Sequence, residues 1–322
     1  MPIVRSDILA HLERGMRVGF LAGLKDYAPK RGAFTRTVPS DGAFEIYGDL
    51  GSQPWPVRMA GQAGGGTDGR TGGPSAGGLH EGGPIVVLGG EERNLVVYNS
   101  DWGTAVGIWH NAINDDRVGG LEDWARNQGK RFEQHKDYLC FDALNSGEAT
   151  TNYGACYDGL SFFNDSHFDK GAEYQTVQDN KYALSLSLDN FETVRIAGGK
   201  FKDGRGQPYG GLGHSLLVHA LDLERTAAQI TDNPLAYDTA NQERNPYAGM
   251  IQRLAVPGSW FDSTAWVLVD PDVKPILLQE RSGPELIFWD DFTQGSGVRY
   301  YKWVARYSVA YGDWRGAIMG NS

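Results

Sequence analysis

The chain has 322 residues, of which 44 are glycine and 14 proline, while 40% are hydrophobic and 11% aromatic. Glycine at about twice its ordinary share, without a collagen period, excludes a fibrous rod, and the apolar content excludes wholesale disorder. Lys and Arg number 30 against 40 Asp and Glu, a formal charge of −10, which excludes sequence-independent DNA binding as a global property because such binding rests on neutralising phosphates.

Length fits one large domain or two to three lobes of about 100–150 residues each. Cys140 and Cys156 are the only cysteines, no charged-then-apolar leader opens the sequence, and no run of about 18 apolar residues appears. The expectation is a chain folded in a reducing cytosol, with no disulfide scaffold and no membrane span.

Residues 6–26 read as a helix, with Ser6 as N-cap and Ile8, Leu9, Leu12, Met16, Phe20 and Leu24 at helical spacing. Gly15, Gly19 and Gly23 form a small-residue stripe that predicts close backbone packing against a second helix. Tyr27 to Val57, with four prolines, predicts an extended arm. Residues 61–90 hold 13 of the 44 glycines and read as an insert with no core of its own. Strands are expected over Ile85–Leu88, Asn94–Tyr98 and Thr104–Ile113.

The longest helix is expected from Gly120 to Ser146, along a seam of Leu121, Trp124, Ala125, Phe132, Leu139, Ala143 and Leu144, with Gly147 as its stop and Gly129 a weak point. Mixed α/β structure follows: a helix over Asp189–Lys200, a strand over Ser215–His219 and a helix over Ala220–Ile230. The rest is β-rich, with strands over Met250–Val256, Thr264–Val269, Pro275–Gln279, Leu286–Trp289 and Val298–Tyr311.

Catalytic patterns are weak. Gly73-Pro74-Ser75-Ala76-Gly77 matches a nucleophile elbow in letters only, since both flanks are glycine-rich linker rather than a buried strand and a helix. Gly198-Gly199-Lys200 lacks the spacing of a phosphate loop. Asn164, Asp165, His167 and Asp169 concentrate possible metal ligands, but a polar turn with a hydrogen-bonded His167 is the simpler reading. His214 and His219 fall on opposite faces of a strand, and Asp290-Asp291 and Asp270-Pro271-Asp272 read as turns or solvated faces. Both cysteines read as fillers. No catalytic, cofactor or metal site is expected, and a hydrolase using Ser75 or His167 is the remote alternative.

Several ordered segments resemble the major head (capsid) subunit of Mu-like tailed phages. Tyr157-Asp158-Gly159-Leu160-Ser161-Phe162-Phe163 through His167 resembles the family's YDG-x-x-FF segment, and Asn114-Asp115-Asp116-Arg117-Val118-Gly119-Gly120 its approach to the long helix. Ser187-Leu188-Asp189 through Lys202-Asp203-Gly204-Arg205-Gly206-Gln207-Pro208 resembles a further passage. The most specific part is Val273-Lys274-Pro275-Ile276 with Gln279, then Arg281-Ser282-Gly283-Pro284-Glu285, Ala305-Arg306-Tyr307 and Tyr311-Gly312-Asp313-Trp314-Arg315-Gly316-Ala317. Two departures stand out: the long glycine-rich insert, and His219-Ala220-Leu221-Asp222 where the family carries a proline-rich junction.

The resemblance implies an α+β chain with the Hong Kong 97-like phage capsid fold. Its parts would be an N-terminal helix and arm (1–57), an extended hairpin loop with the insert (58–113), a spine helix of the peripheral lobe (114–149), an axial lobe (150–290) and return strands (291–322). It implies an icosahedral head assembled in the host cytoplasm from hexamers and pentamers of this chain. The partners implied are a separate scaffolding protein, a portal complex, a decoration protein and packaged dsDNA held without specific binding. An encapsulin-like compartment shell is the alternative. Intersubunit contacts are expected at Phe44, Tyr47, Trp55, Pro56, Gly65, Gly73, Gly78, Trp102 and Trp109, with the insert clamped by neighbours.

Overall fold

The computed structural model describes residues 5–49, 93–109, 118–168, 176–209, 213–235, 244–290 and 297–321. The first part runs through α1 (Arg5–Asp26), a 3-10 turn (Arg31–Ala33), β1 (Thr35–Pro39), β2 (Phe44–Asp49), β3 (Arg93–Tyr98), β4 (Ser100–Trp109) and α2 (Val118–Asn145). Then come β5 (Lys181–Tyr182), α3 (Leu188–Gly198), β6 (Leu216–Ala220), α4 (Glu224–Thr231), β7 (Gln252–Val256), β8 (Trp266–Val269), β9 (Ile276–Asp290), β10 (Val298–Tyr311) and β11 (Ala317–Gly320). The insert at 61–90, the expected strand at Ile85–Leu88, and Ser75, Asp169 and Asp291 lie outside the described residues.

A four-stranded sheet in the order β1-β9-β10-β4 carries both long helices on one face. Alternation in β10 explains this: Tyr301, Trp303, Ala305 and Tyr307 are all buried on the helix side. Phe20 of α1 stacks on Trp303 at 5.7 Å and Trp124 of α2 meets it at 4.8 Å. Two of the three glycines in the stripe, Gly19 and Gly23, make the close approach expected of it; Gly15 does not. A Cβ on Gly23 would lie 1.9 Å from the Arg126 carbonyl oxygen, and one on Gly19 2.7 Å from that of Glu122. Gly129, read as a weak point, is the reciprocal contact, since a Cβ there would sit 2.3 Å from the Phe20 carbonyl oxygen. Helix propensity gives way here to backbone-on-backbone packing.

The second sheet has five strands, β5-β11-β8-β6-β7, with β6, β8 and β11 buried throughout. Continuous apolar runs such as Trp266-Val267-Leu268-Val269 mark strands covered on both faces. Gly320 leaves room for the fully buried Trp266 ring, which a Cβ would meet at 2.2 Å, and the indole N–H donates to the Leu184 carbonyl at 2.9 Å. β2 and β3 form a separate two-stranded ribbon.

Several expectations change. The arm is not free through Pro39: Arg31 pairs with Glu133 and Asp137 of α2, each at 2.7 Å, and β1 runs parallel to β9 from Thr35↔Ile276 to Pro39↔Glu280. Pro39 ends an edge strand, where its missing N–H costs nothing. The two strands expected around Ser282-Gly283-Pro284 are one, β9, whose register shifts against β10 between Val304 and Tyr307; a bulge occupies the place of a turn. The chain reaches α4 by a 3-10 turn at Leu221–Leu223 rather than by a helix from Ala220. β9 also joins the four-stranded sheet and β11 the five-stranded one, so the sheets do not divide at residue 290 as the implied lobes do.

Candidate assembly surfaces

The ribbon pairs Phe44 with Tyr98 and Ile46 with Val96 across its strands. Alternation puts these four on one face, and all four are exposed, from 44% for Val96 to 68% for Tyr98. The Phe44 and Tyr98 rings lie 5.6 Å apart. The opposite face turns inward, where Val97 is buried and the Tyr47 hydroxyl donates to Gln279 Oε1 at 2.8 Å. Burial raises the Tyr47 phenol above its ordinary range. A contiguous exposed apolar ladder on a pinned ribbon is the sort of surface that marks association.

Of the aromatic residues expected at interfaces, Phe44 and Trp109 stand exposed, at 45% and 64%. Trp109 closes β4 opposite Val298 of β10; on β9, the strand on the other side of β10, Ile287 and Trp289 are also exposed, and Trp289 stacks on Tyr300 at 5.2 Å. Trp102 instead folds onto its own chain: its N–H donates to the Tyr307 carbonyl at 2.8 Å and its ring stacks on Tyr307 at 5.7 Å. It lines a cavity of about 370 Å³ with Phe132, His135, Tyr138, Trp260 and Tyr307. Burial holds the His135 imidazole below its ordinary range, with Nδ1 2.8 Å from the Tyr307 hydroxyl. Trp55, Pro56, Gly65, Gly73 and Gly78 lie outside the described residues. Val96, Tyr98, Ile287 and Trp289 went unread in the sequence, although alternation through Asn94–Tyr98 was available as a signal for the first two.

The motif residues occupy the interior. His167 is fully buried, with Nδ1 2.5 Å from Asp158 Oδ2 and Nε2 3.2 Å from the Phe162 carbonyl oxygen. Its ring lies parallel to Trp314 at 4.3 Å. Beside it Asn180 Nδ2 donates to the carbonyls of Phe162, Trp314 and Ala317, while Asn180 Oδ1 accepts from the Asn164 N–H. Asp313 accepts from Tyr209 at 2.8 Å and from the Arg315 N–H at 3.0 Å. Thus the segments at 157–167 and 311–317 close on each other as a structural knot, and His167 is the satisfied core histidine that a polar turn implies. Among the described residues no group of three His, Cys, Asp or Glu could hold a metal ion.

The remaining candidates are structural too. His214 Nε2 meets the Arg315 carbonyl oxygen at 3.0 Å and His219 Nδ1 that of Ala220 at 2.8 Å. Asp270 accepts from the Asp272 N–H at 2.9 Å, a turn. Both cysteines are free and buried, and burial pushes the Cys140 thiol up to about 12 and that of Cys156 well above its ordinary value.

The fold is that of phage capsid proteins. The chain superposes on the procapsid of bacteriophage JBD30 with a TM-score of 0.54 at 18% identity, over 99% of this chain and 76% of that one. The JBD30 capsid decorated with minor capsid protein trimers gives 0.53 at 18% identity, over 73% and 92%. The mature capsid of bacteriophage PhiM1 gives 0.50 at 10%, over 92% and 87%. Residues 86–185 match the family described as Mu-like prophage major head subunit gpT. The Mu-like prophage FluMu major head subunit of Haemophilus influenzae is 32% identical over 77 residues, 24% of this chain and 24% of that protein. The resemblance first read from the Tyr157–His167 motif is borne out in this stretch, which contains α2.

Proposed function

We propose that this chain is the major capsid protein of a tailed phage or prophage, assembling with identical copies into the icosahedral head that encloses the dsDNA genome. The observation that carries the reading is the coincidence of a capsid fold over 99% of the chain with a Mu-like head-subunit match across its central 86–185 stretch. The exposed ladder on the ribbon supports it, as do the exposed side chains of Trp109, Ile287 and Trp289, as surfaces a monomer would leave in water. The role is structural, with no reaction assigned. Hexamers and pentamers would form the shell, with a separate scaffolding protein during assembly and a portal complex at one vertex; decoration by a further protein is consistent with the decorated JBD30 capsid. Net charge of −10 suits a wall that surrounds DNA without gripping it. The protein would then reside in the virion.

Negative-stain electron microscopy of the expressed protein tests this directly. Closed shells of defined diameter are the expected result. A chain that remains monomeric at high concentration, with and without a co-expressed scaffolding protein, would overturn the reading.

A further inference from the structure

Gln279 belongs to the C-terminal motif set, yet none of the roles above uses it beyond Tyr47. Its side chain is fully buried in β9. Glu280 next to it reaches Lys136 of α2 at 2.8 Å, so alternation sends Gln279 to the other face of the sheet, away from the helices. There its amide is committed to the ribbon. Oε1 accepts from the Tyr47 hydroxyl at 2.8 Å; Nε2 donates to the Val97 carbonyl at 3.3 Å and to Asn99 Oδ1 at 2.8 Å. Asn99 Nδ2 passes the connection to Ser40 Oγ at 2.8 Å and the Gly42 carbonyl at 2.9 Å. Glu45 closes the circuit, its Oε1 accepting from Ser40 Oγ and from the N–H groups of Asp41 and Gly42, each at 2.9 Å.

Among the described residues, the ribbon's direct side-chain hydrogen bonds to the sheet converge on this one amide. An apolar joint at the same place would tolerate sliding, because burial is non-directional. A saturated buried amide does not. Any other ribbon angle leaves its donors or acceptor without partners in a site closed to water, so the polar joint selects one geometry. We infer that Gln279 is the positioning residue of the ribbon: it fixes the angle at which β2 and β3 leave the four-stranded sheet and hence where Phe44, Ile46, Val96 and Tyr98 meet a neighbouring copy. Only the last step rests on the shell reading.

Hydrogen exchange on the full chain, read by mass spectrometry, separates the two levels. Gln279→Met keeps length and apolar fit but removes the amide; exchange in 44–49 and 93–98 is expected to rise about tenfold while α2 and β8 keep their protection. Shells of the variant should lose uniform diameter. Tyr47→Phe, which leaves the core untouched, should speed ribbon exchange about threefold and decides the matter if Gln279→Met does not fold. Unchanged ribbon exchange in the decisive variant overturns the inference. So does an equal rise in α2 and β8, which would make Gln279 an ordinary stabilising residue. If the wild-type chain forms no shells, the shell reading fails while the exchange result still judges the joint.

Discussion

His167 and Trp314 stack at 4.3 Å with 5° between their planes, joining two segments far apart in the chain. The Asp158 carboxyl group, 2.5 Å from His167 Nδ1, is as fully buried as the imidazole it faces. The cluster therefore ties the loop after α2 to the 3-10 turn at Trp314–Gly316 that leads into β11. Replacing His167 with Ala would remove the imidazole from a buried hydrogen bond to that carboxyl group, and leaving such a group short of a partner costs about 1–3 kcal/mol. Denaturant unfolding of His167→Ala should show this loss. A loss under about 1 kcal/mol would mean that the pair is not a fastening of the fold.

The glycine stripe of α1 separates two effects at positions about two turns apart. At Gly15 an added Cβ would meet only the far end of Glu122, at 3.7 Å, so Gly15→Ala should stabilise by about 1 kcal/mol through helix propensity. At Gly23 the same Cβ would lie 1.9 Å from backbone, and the helices must part. Gly23→Ala should destabilise by about 1–3 kcal/mol despite the same propensity gain. Thermal unfolding of the two variants should move in opposite directions; shifts of the same sign would contradict the packing account.

How far this was visible beforehand depended on the range of the information. α2 and β10 were legible because a helical seam and a strand alternation are local, and burial followed from them. β9 was not: Ser282-Gly283-Pro284 has turn composition, and only the partner β10 shows that the chain bulges and continues. The pinned half of the arm was missed because β1 finds its partner in β9, far along the chain. Phe44 and Tyr47 were both legible as aromatics needing cover. Which one faces out is set by pairing with β3 across the insert and by Gln279 beneath, neither of which any local window contains.

Acid should loosen the same arm. Burial pushes the Glu133 carboxyl up, but Lys136 and Arg31 outweigh it and hold the group below its ordinary value of 4.5. A carboxylate depressed in the folded state contributes stability above its unfolded value, and that contribution is lost as pH falls through the folded one. Stability of the native chain should therefore drop below about pH 4.5 partly through Glu133. Glu133→Gln should flatten that part of the profile while lowering stability at neutral pH, where Arg31 keeps Asp137 as its remaining carboxylate partner. Chemical denaturation between pH 3 and 7 checks both, and parallel curves for the two proteins would exclude Glu133 as a contributor.

The ladder on the ribbon separates folding from assembly. Phe44 and Tyr98 are 45% and 68% exposed, so truncating both to Ser removes little from the monomer, within about 0.5 kcal/mol per site for exposed positions. At an interface, aromatic anchors count for about 2 kcal/mol or more each, and a closed shell repeats the loss at every copy. Phe44→Ser with Tyr98→Ser should thus leave circular dichroism and unfolding nearly unchanged while sedimentation shifts from shells to free subunits or capsomers. Shells formed at the wild-type concentration threshold would show that this face stays in water after assembly. A variant that loses its fold would show instead that the ladder stabilises the monomer, against the exposure of both rings.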